Sequence, residues 1–299
     1  MNSKTSSMHA KESNNPMDKP SYPQSREAKL AFALFEKAGA LALKNQHDLA
    51  VERKADASLV TSTDLAISKM AHEILADDIT KGDVLIDEES IKQVGAPTDE
   101  HLQKRLWVLD PIDGTHPYAV GRPNFAISLG VIDKGQPTYG GAFFPAFDFI
   151  LWHDHGSDTL LIHKPFTEDT KTIILTPPTD SGDIKRPTFL EIASGVEKDF
   201  AINHSVLSFS KMQSQVNHLA WLIRDMSRGA IIRSSLWDLA GLWPALNNLG
   251  YSLYGLHNQK EISHLTADLV SGLNWELDDF YVVCQSADYP RFMELIKKK

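Results

Sequence analysis

The sequence predicts a layered α+β fold that becomes an α/β arrangement in its second half. Apolar residues recur at helical spacing over residues 25–44 and 64–75, which predicts two packed helices near the start of the chain. Short apolar runs typical of strands follow, and past about Phe166 such runs alternate with further helical patterns. Helices followed by several strands favour an α+β structure, whereas alternation favours α/β.

The later elements follow in chain order. Strands are predicted over residues 84–86, 107–109, 125–132, 138–152, 173–175 and 188–192. A helix is predicted over residues 206–226, because its apolar residues also recur at helical spacing.

Length and composition indicate a globular protein with two domains. The chain has 299 residues, of which 42% are hydrophobic and 23% are charged, as in ordinary soluble proteins. Residues 1–25 are rich in Ser, Asn, Lys and Pro, so we expect a disordered tail. We expect an N-terminal α+β domain over 26–168, with most of the candidate metal ligands. A C-terminal α/β domain over 169–299 would add Asp238 and the substrate contacts.

Charge and hydropathy exclude some classes of partner. The net charge of −9 argues against nucleic acid or an anionic membrane as the main partner. No apolar stretch approaches the ~18 residues that a membrane-spanning helix needs, and the first residues lack the apolar stretch of a secretion signal. We therefore expect a cytoplasmic protein. The single cysteine, Cys284, lies in an apolar run and is expected to pack in a strand.

The segment from Asp110 to Thr115 is the strongest functional signal. Asp110 and Asp113 follow the apolar run 106–109 directly, and Thr115 lies two residues further on. Two carboxylates so close together repel each other unless a cation lies between them. Oxygen ligands without His or Cys suit a hard ion such as Mg2+, which also binds phosphate oxygens. Asp, Pro and Gly also build ordinary turns, so this segment alone leaves both interpretations open.

Three further carboxylates lie in comparable contexts. Glu88 follows the predicted strand 84–86, Asp64 starts a predicted helix, and Asp238 precedes an apolar set of helical spacing. Each has a simpler explanation, since Glu88 fits a solvated acidic turn and the two aspartates fit helix N-caps. Four carboxylate-bearing segments, three of them directly behind apolar runs, are nevertheless hard to attribute to chance.

In order, context and approximate spacing, these motifs resemble the inositol monophosphatase superfamily of Mg2+-dependent, often lithium-sensitive phosphatases. The central match, around D-P-[IL]-D-G-T, runs without a gap over residues 107–130. Flanking matches are V-T-x-x-D at 60–64, a G-E-E-like motif at 87–89, and W-D-x-A-G at 237–241. The resemblance implies an αβαβα sandwich of the inositol monophosphatase / fructose-1,6-bisphosphatase type, a homodimer, and hydrolysis of a small phosphorylated metabolite.

The resemblance also implies metal ligands. One metal would be held by Glu88, Asp110 and the carbonyl oxygen of Ile112. A second would be held by Asp110, Asp113 and Asp238. Two or three Mg2+ ions per site are implied, and with them possible inhibition by Li+.

Catalytic and substrate contacts are implied in the same way. The hydroxyl of Thr115, polarised by Asp64, would help Glu88 orient an attacking water. The backbone N–H groups of Gly114 and Thr115 would hold the phosphate. Substrate-binding residues would be Asp113, Gly114, Thr115 and Asp238.

This chain departs from the family pattern at positions that affect the substrate. Asp87 stands where the family has Gly, which would add negative charge near the metal. The family's Gly-Ser/Thr-Ala substrate strip falls on residues 212–214, and an acidic position that contacts the polyol falls on Ile231. Because Ile cannot accept a hydrogen bond from a hydroxyl, the inositol assignment is weakened, whereas the phosphatase chemistry is not.

Several functions therefore remain open. Within the enzyme class, the alternatives are histidinol-phosphate, fructose-1,6-bisphosphate and 3′-phosphoadenosine-5′-phosphate hydrolysis. The segment 121–123, Gly-Arg-Pro, slightly favours the histidinol-phosphatase-like branch. From another class, a catalytically silent relative would only bind a phosphorylated metabolite. Retention of the whole acidic set and Thr115 argues against that relative.

Overall fold

The computed structural model describes residues 10–11, 23–46, 51–53, 59–178, 188–203 and 205–299. The expected disordered tail over 1–25 falls largely outside these residues. Within them the helices are α1 Arg26–Asn45, α2 Ser62–Ile74, α3 Ala76–Thr80, α4 Ile91–Val94, α5 Asp99–Leu102, α6 Thr115–Ala119, α7 Val196–Asp199, α8 Gln215–Ile223, α9 Leu236–Ala240, α10 Trp243–Asn248 and α11 Tyr289–Leu295.

The strands in the described residues form two main sheets and three two-stranded ribbons. In chain order they are β1 Ala10–Lys11, β2 Val51–Arg53, β3 Leu59–Thr61, β4 Val84–Asp87, β5 Arg105–Asp113, β6 Ala126–Asp133, β7 Gln136–Phe144, β8 Phe149–His153, β9 Thr159–His163, β10 Lys171–Leu175, β11 Thr188–Ile192, β12 Phe200–Ile202, β13 Leu207–Ser210, β14 Gly229–Ile232, β15 Tyr251–Gly255, β16 Glu261–Ile262, β17 Val270–Ser271, β18 Glu276–Leu277, β19 Tyr281–Gln285 and β20 Ile296–Lys298.

The first sheet has eight strands in the order β1-β10-β9-β8-β7-β6-β5-β4, and only its β4–β5 pair is parallel. The second has six, in the order β13-β11-β14-β19-β15-β16. In the second sheet β13, β11 and β14 run parallel, and the remaining pairs are antiparallel. The first sheet extends to Leu175, past the domain boundary expected at residue 168, and the division into two domains stays a prediction.

Three hydrophobic cores lie between the layers. Helices α1 and α2 cover one face of the first sheet, where Phe35, Trp107 and Leu109 pack together. The opposite face, with Leu106 and Val108, packs against α8, α9 and α10, which separate the two sheets. These β5 side chains alternate between the two cores, as the period of two in a strand requires. Helices α7 and α11 cover the far face of the second sheet, which completes an αβαβα sandwich.

Two predicted elements are wrong in extent. The predicted strand over 138–152 is two strands, β7 and β8, because a 3-10 turn at Pro145–Phe147 and a left-handed Asp148 (φ 55°) reverse the chain. The predicted helix over 206–226 is strand β13 followed by α8. Helix α8 starts after Ser214, whose hydroxyl oxygen accepts a hydrogen bond from the N–H of Asn217 at 3.1 Å.

Both expected aspartate N-caps lie inside their helices. Asp64 is the third residue of α2, whose N-cap is Thr61. Asp238 is the third residue of α9, after the N-cap Ser235. In both helices the aspartate carboxylate bonds back to the N–H of the cap residue, at 3.0 Å, as in a capping box. No helix in the described part of the chain combines the length and hydropathy needed to cross a membrane.

Candidate active site

Three buried carboxylates meet where β5 ends. Oxygen atoms of Asp110, Asp113 and Asp238 lie within 4.8 Å of one another. Residues three apart in a regular strand point to opposite faces of the sheet. The pairing of β5 with β6 is irregular between Asp110 and Asp113, and such a bulge re-aims side chains so that both aspartates can face Asp238. The expected turn after residue 109 is thus a continuation of the strand to Asp113.

The three carboxylates lie in surroundings that do not fully stabilise their negative charges. Burial, and then the charges of Glu88, Asp238 and Asp113, raise the pKa of Asp110 well above its ordinary value. Burial and the charge of Asp113 raise the pKa of Asp238 in the same way. Asp110 Oδ1 accepts no hydrogen bond from any residue that the structure describes. A cation would compensate this charge, and all the available donors are oxygen atoms, which fits a hard divalent ion.

Asp113 also contacts the first turn of α8. Its Oδ1 accepts a hydrogen bond from the N–H of Gln215 at 3.0 Å, and its Oδ2 accepts one from the N–H of Val216 at 3.1 Å. The hydroxyl of Ser214 donates a further hydrogen bond to Oδ2. Burial raises the pKa of Asp113 to about 7 although these donors oppose the increase. Asp113 therefore connects the first sheet to the helical layer between the sheets.

Glu88 reaches the cluster through the parallel pairing of β4 and β5. Asp87, the last residue of β4, pairs with Leu109, so Glu88 follows β4 at the edge where Asp110 lies on β5. Its N–H is 3.4 Å from the carbonyl oxygen of Leu109. The half-buried Glu88 is close enough for its charge to raise the pKa values of Asp64, Asp110 and Asp238, although it is not one of the three carboxylates within 4.8 Å.

Asp64 and Thr115 are brought together from helices α2 and α6. The Thr115 hydroxyl is 3.4 Å from Asp64 Oδ1 and 3.1 Å from the carbonyl oxygen of Ile112. Asp64 is fully buried. Burial, and to a smaller extent the charge of Glu88, raises its pKa to about 6, while hydrogen bonds from Thr61 oppose this rise. The pairing of these two residues that the resemblance implied is thus present in the geometry.

Gly114 makes the turn between β5 and α6. Its φ is 83°, in the left-handed region that Gly adopts without strain. A Cβ atom there would lie 2.9 Å from the carbonyl oxygen of Asn124 and 3.0 Å from Ser214 Cβ. Only Gly fits this position, and its turn places Thr115 at the start of α6.

The carboxylate of Asp87 is directed at α2. Its Oδ2 accepts a hydrogen bond from the Ser68 hydroxyl at 2.5 Å and lies 3.7 Å from His72 Nε2. Asp87 is fully buried, and its nearby carboxylate raises the pKa of the His72 imidazole. The residue that replaces the family's Gly is therefore part of the contact between β4 and α2.

The positions matched to the family's substrate strip behave differently from one another. Ile231 is fully buried in β14 within the core on the far side of the second sheet. Residues 212–214 lie in the loop between β13 and α8, where Gln213 is exposed and Ser214 contacts Asp113. The motif comparison did not predict this contact of Ser214, although a Ser directly before an apolar helical pattern is a recognisable N-cap signal.

Known proteins resemble this chain in sequence. A profile of the inositol monophosphatase family matches residues 24–287. A Thermotoga maritima fructose-1,6-bisphosphatase/inositol-1-monophosphatase is 34% identical over 94 residues, which are 30% of this chain and 34% of that protein. A Mycobacterium tuberculosis histidinol-phosphatase is 31% identical over 129 residues, which are 42% of this chain and 47% of that protein. The matched stretches thus span less than half of each relative's own length.

The fold resembles solved structures over most of its length. A crystal structure of an IMPase/NADP phosphatase complexed with NADP and Ca2+ has a TM-score of 0.72 and 16% identity, and the match covers 90% of this chain and 94% of that chain. At this identity the likeness shows the fold alone, and it confirms the predicted layered fold. The family profile covers nearly the whole chain and confirms the resemblance found in the motifs: the protein belongs to the inositol monophosphatase family.

Proposed function

We propose that this protein is a Mg2+-dependent phosphomonoesterase that hydrolyses a small phosphorylated metabolite. The observation that carries the proposal is the buried cluster of Asp110, Asp113 and Asp238, with carboxylate oxygens within 4.8 Å of one another. Burying so many carboxylates costs far more free energy than an ordinary structural role would justify. Membership of the inositol monophosphatase family supports phosphate ester hydrolysis at this cluster.

Five residues would hold the metal. They are the carboxylates of Glu88, Asp110, Asp113 and Asp238 and the carbonyl oxygen of Ile112, and we propose two or three Mg2+ ions. When bound, Mg2+ would acidify the attacking water and neutralise charge on the phosphoryl group. Inhibition by Li+ is part of the proposal.

The protein's own side chains would orient the water. Because the single hydrogen of the Thr115 hydroxyl is directed to Asp64 or to the Ile112 carbonyl, its oxygen can accept a hydrogen bond from a water molecule. Glu88 would accept the second hydrogen bond of that water and so aim its lone pair at phosphorus. The N–H groups of Gly114 and Thr115 would hold the phosphate, and Asp113 and Asp238 would also contact the substrate.

The residue at the position matched to a polyol contact bears on which substrate is hydrolysed. Ile231, at the position matched to a polyol contact, is fully buried and offers no side-chain acceptor to an inositol hydroxyl. Histidinol phosphate, fructose 1,6-bisphosphate and 3′-phosphoadenosine 5′-phosphate therefore stand beside inositol monophosphate as candidates. The acidic cluster supports hydrolysis of a phosphate monoester without choosing among these four substrates.

A phosphate-release screen tests the proposal. Purified protein is assayed with Mg2+, with and without Li+, on polyol, sugar, amino-alcohol and nucleotide monophosphates, and EDTA should abolish the release. Asp110→Asn should lower kcat at least about a hundredfold, since it removes a charge from both proposed metals. Asp133→Asn, which changes an exposed carboxylate at the end of β6, is the matched control. Release of phosphate from no substrate would favour the silent, metabolite-binding relative.

The remaining expectations are tested separately. We propose that the protein works in the cytoplasm, as its first residues and hydropathy suggest, and that it is a homodimer, as the family resemblance implies. Light scattering behind a sizing column should then give twice the chain mass of 33.3 kDa. A mass of one chain at micromolar concentration would contradict the dimer and leave the phosphatase proposal unchanged.

A further inference from the structure

The loop between β13 and α8, residues 211–214, is held from two sides at the backbone of one residue, Met212. The carbonyl oxygen of Met212 accepts a hydrogen bond from Asn124 Nδ2 at 2.6 Å. The N–H of Met212 donates to His218 Nε2 at 3.0 Å. Asn124 belongs to the first half of the chain, where its carbonyl oxygen also faces Gly114, and His218 lies one turn into α8.

His218 can play this part only as a neutral imidazole. It is 1% exposed, and burial lowers its pKa to about 4. Glu191 Oε2 lies 4.0 Å from His218 Nε2, but this nitrogen already accepts the hydrogen of the Met212 N–H and therefore carries no proton for an ion pair. The contact with Met212 is the one that uses His218 Nε2.

Backbone strain shows that the loop needs support. Gln213, the next residue, has a φ of 59°, and a residue other than Gly in this region costs on the order of 1 kcal/mol. Such a conformation persists only when its neighbours hold it in place. Ser214 follows directly, caps α8, and donates its hydroxyl hydrogen to Asp113.

We propose that His218 and Asn124 are positioning residues for the metal centre, because they fix the backbone of Met212 on both sides of its Cα and thereby the contact of Ser214 with Asp113. The proposal rests on the proposed function, in which Asp113 binds Mg2+. Partners that orient a metal ligand commonly change metal affinity ten- to a hundredfold when they are removed. His218 acts one step further away, so its loss should have an effect at the lower end of that range.

Mg2+ binding by calorimetry tests this inference without an activity assay. His218→Leu should weaken Mg2+ binding about tenfold, whereas His218→Gln, which keeps an acceptor near Nε2, should stay within about twofold. Asn124→Ala removes the hydrogen bond to the Met212 carbonyl oxygen and should also weaken Mg2+ binding. Because Asn124 is only half-buried, this variant tests the proposal even if His218→Leu fails to fold.

His153→Leu is the matched control, since His153 is also a buried imidazole, with its pKa lowered to about 4, on strand β8. It should leave Mg2+ affinity unchanged. In kinetics, His218→Leu should raise the Mg2+ concentration for half-maximal activity while kcat at saturating Mg2+ recovers.

The outcomes separate the two proposals. Wild-type affinity in both His218→Leu and Asn124→Ala would overturn the positioning role and leave the phosphatase assignment intact. An equal loss in His153→Leu would also overturn it, because the effect would then be general destabilisation. If the wild-type protein binds no Mg2+ at all, the proposed function fails and this inference fails with it.

Discussion

Ser214 donates its hydroxyl hydrogen to the carboxylate of Asp113, although 101 residues separate the two in the chain. The same carboxylate accepts hydrogen bonds from the N–H groups of Gln215 and Val216. Asp113 thus acts toward α8 as an external cap, since it satisfies N–H groups that the helix itself leaves without partners. The proposed metal centre and the position of α8 are consequently linked through one side chain.

Replacing Ser214 by Ala should separate stability from metal binding. The loss of the α8 cap should reduce the free energy of unfolding by about 1 kcal/mol. Loss of the hydrogen bond to Asp113 should weaken Mg2+ binding roughly ten- to a hundredfold. Ser25→Ala is the control, because Ser25 caps α1 through the N–H of Ala28 at 3.0 Å and lies outside the site. Denaturant unfolding and calorimetry measure the two effects, and equal Mg2+ affinity in both variants would refute the link.

The stability of the metal-free protein should fall as pH rises. The pKa of Asp64 is raised from 3.8 to about 6 and that of Asp113 to about 7 in the folded state. The folded state therefore binds protons more tightly than the unfolded chain. This stabilisation is complete below about pH 4. The contribution of Asp64, on the order of 3 kcal/mol, is lost as pH rises through about 6, and that of Asp113 is lost as pH rises through about 7.

Thermal unfolding between pH 5 and pH 8 with EDTA measures this dependence. The midpoint should decrease with pH in EDTA, saturating Mg2+ should flatten the curve, and Asp64→Asn should reduce its slope. A midpoint that rises with pH in EDTA would show that the folded state does not raise the pKa values of these buried carboxylates.

The grouping of the acidic residues was predictable from the resemblance of their motifs to one family, and their positions after apolar runs or at helix starts agreed with it. Glu88 follows β4 and Asp110 lies in β5, and the parallel pairing of these two strands brings both residues to one edge. The prediction failed where a contact depends on residues that are distant in the chain. It also failed where the same apolar residues fit both the spacing of a helix and that of a strand. In residues 206–226 the apolar set fits a helix, but Leu207 belongs to a strand that pairs with β11, and tertiary pairing decides such cases.

The predicted strand over 138–152 was wrong because a turn signal within it was overlooked. Pro145 interrupts the apolar stretch over 138–152, and Pro within such a run favours a turn or a strand edge. The contact between Ser214 and Asp113 had no comparable local signal, since it forms only when α8 packs beside β5. Residues that act on the site through the middle helical layer were therefore visible only in the structure.

Gly114→Ala should destabilise the protein and impair the site. A left-handed Ala costs about 1–2 kcal/mol, and here the added Cβ would also lie 2.9 Å from the Asn124 carbonyl oxygen. Gly121→Ala provides a matched control, since Gly121 has a φ of 77° but open space around its Cβ position. Denaturant unfolding should show a larger loss for Gly114→Ala than for Gly121→Ala, and only the former should lower kcat. Equal losses of stability would mean that the left-handed backbone alone, without the close approach of Asn124, accounts for the need for Gly at position 114.

Thr115→Val should lower kcat and leave Mg2+ affinity close to that of the wild type. Thr115 touches Asp64 and the Ile112 carbonyl through its hydroxyl, and Val keeps the shape of the side chain without that group. If the hydroxyl orients the attacking water, its loss should reduce kcat by about a hundredfold, within the range for a positioned proton-transfer group. Thr115→Ser, which keeps the hydroxyl, should retain most of the activity. Because the proposed metal ligands are untouched in both variants, a large fall in Mg2+ affinity for Thr115→Val would instead assign Thr115 to the metal site and remove it from the reaction.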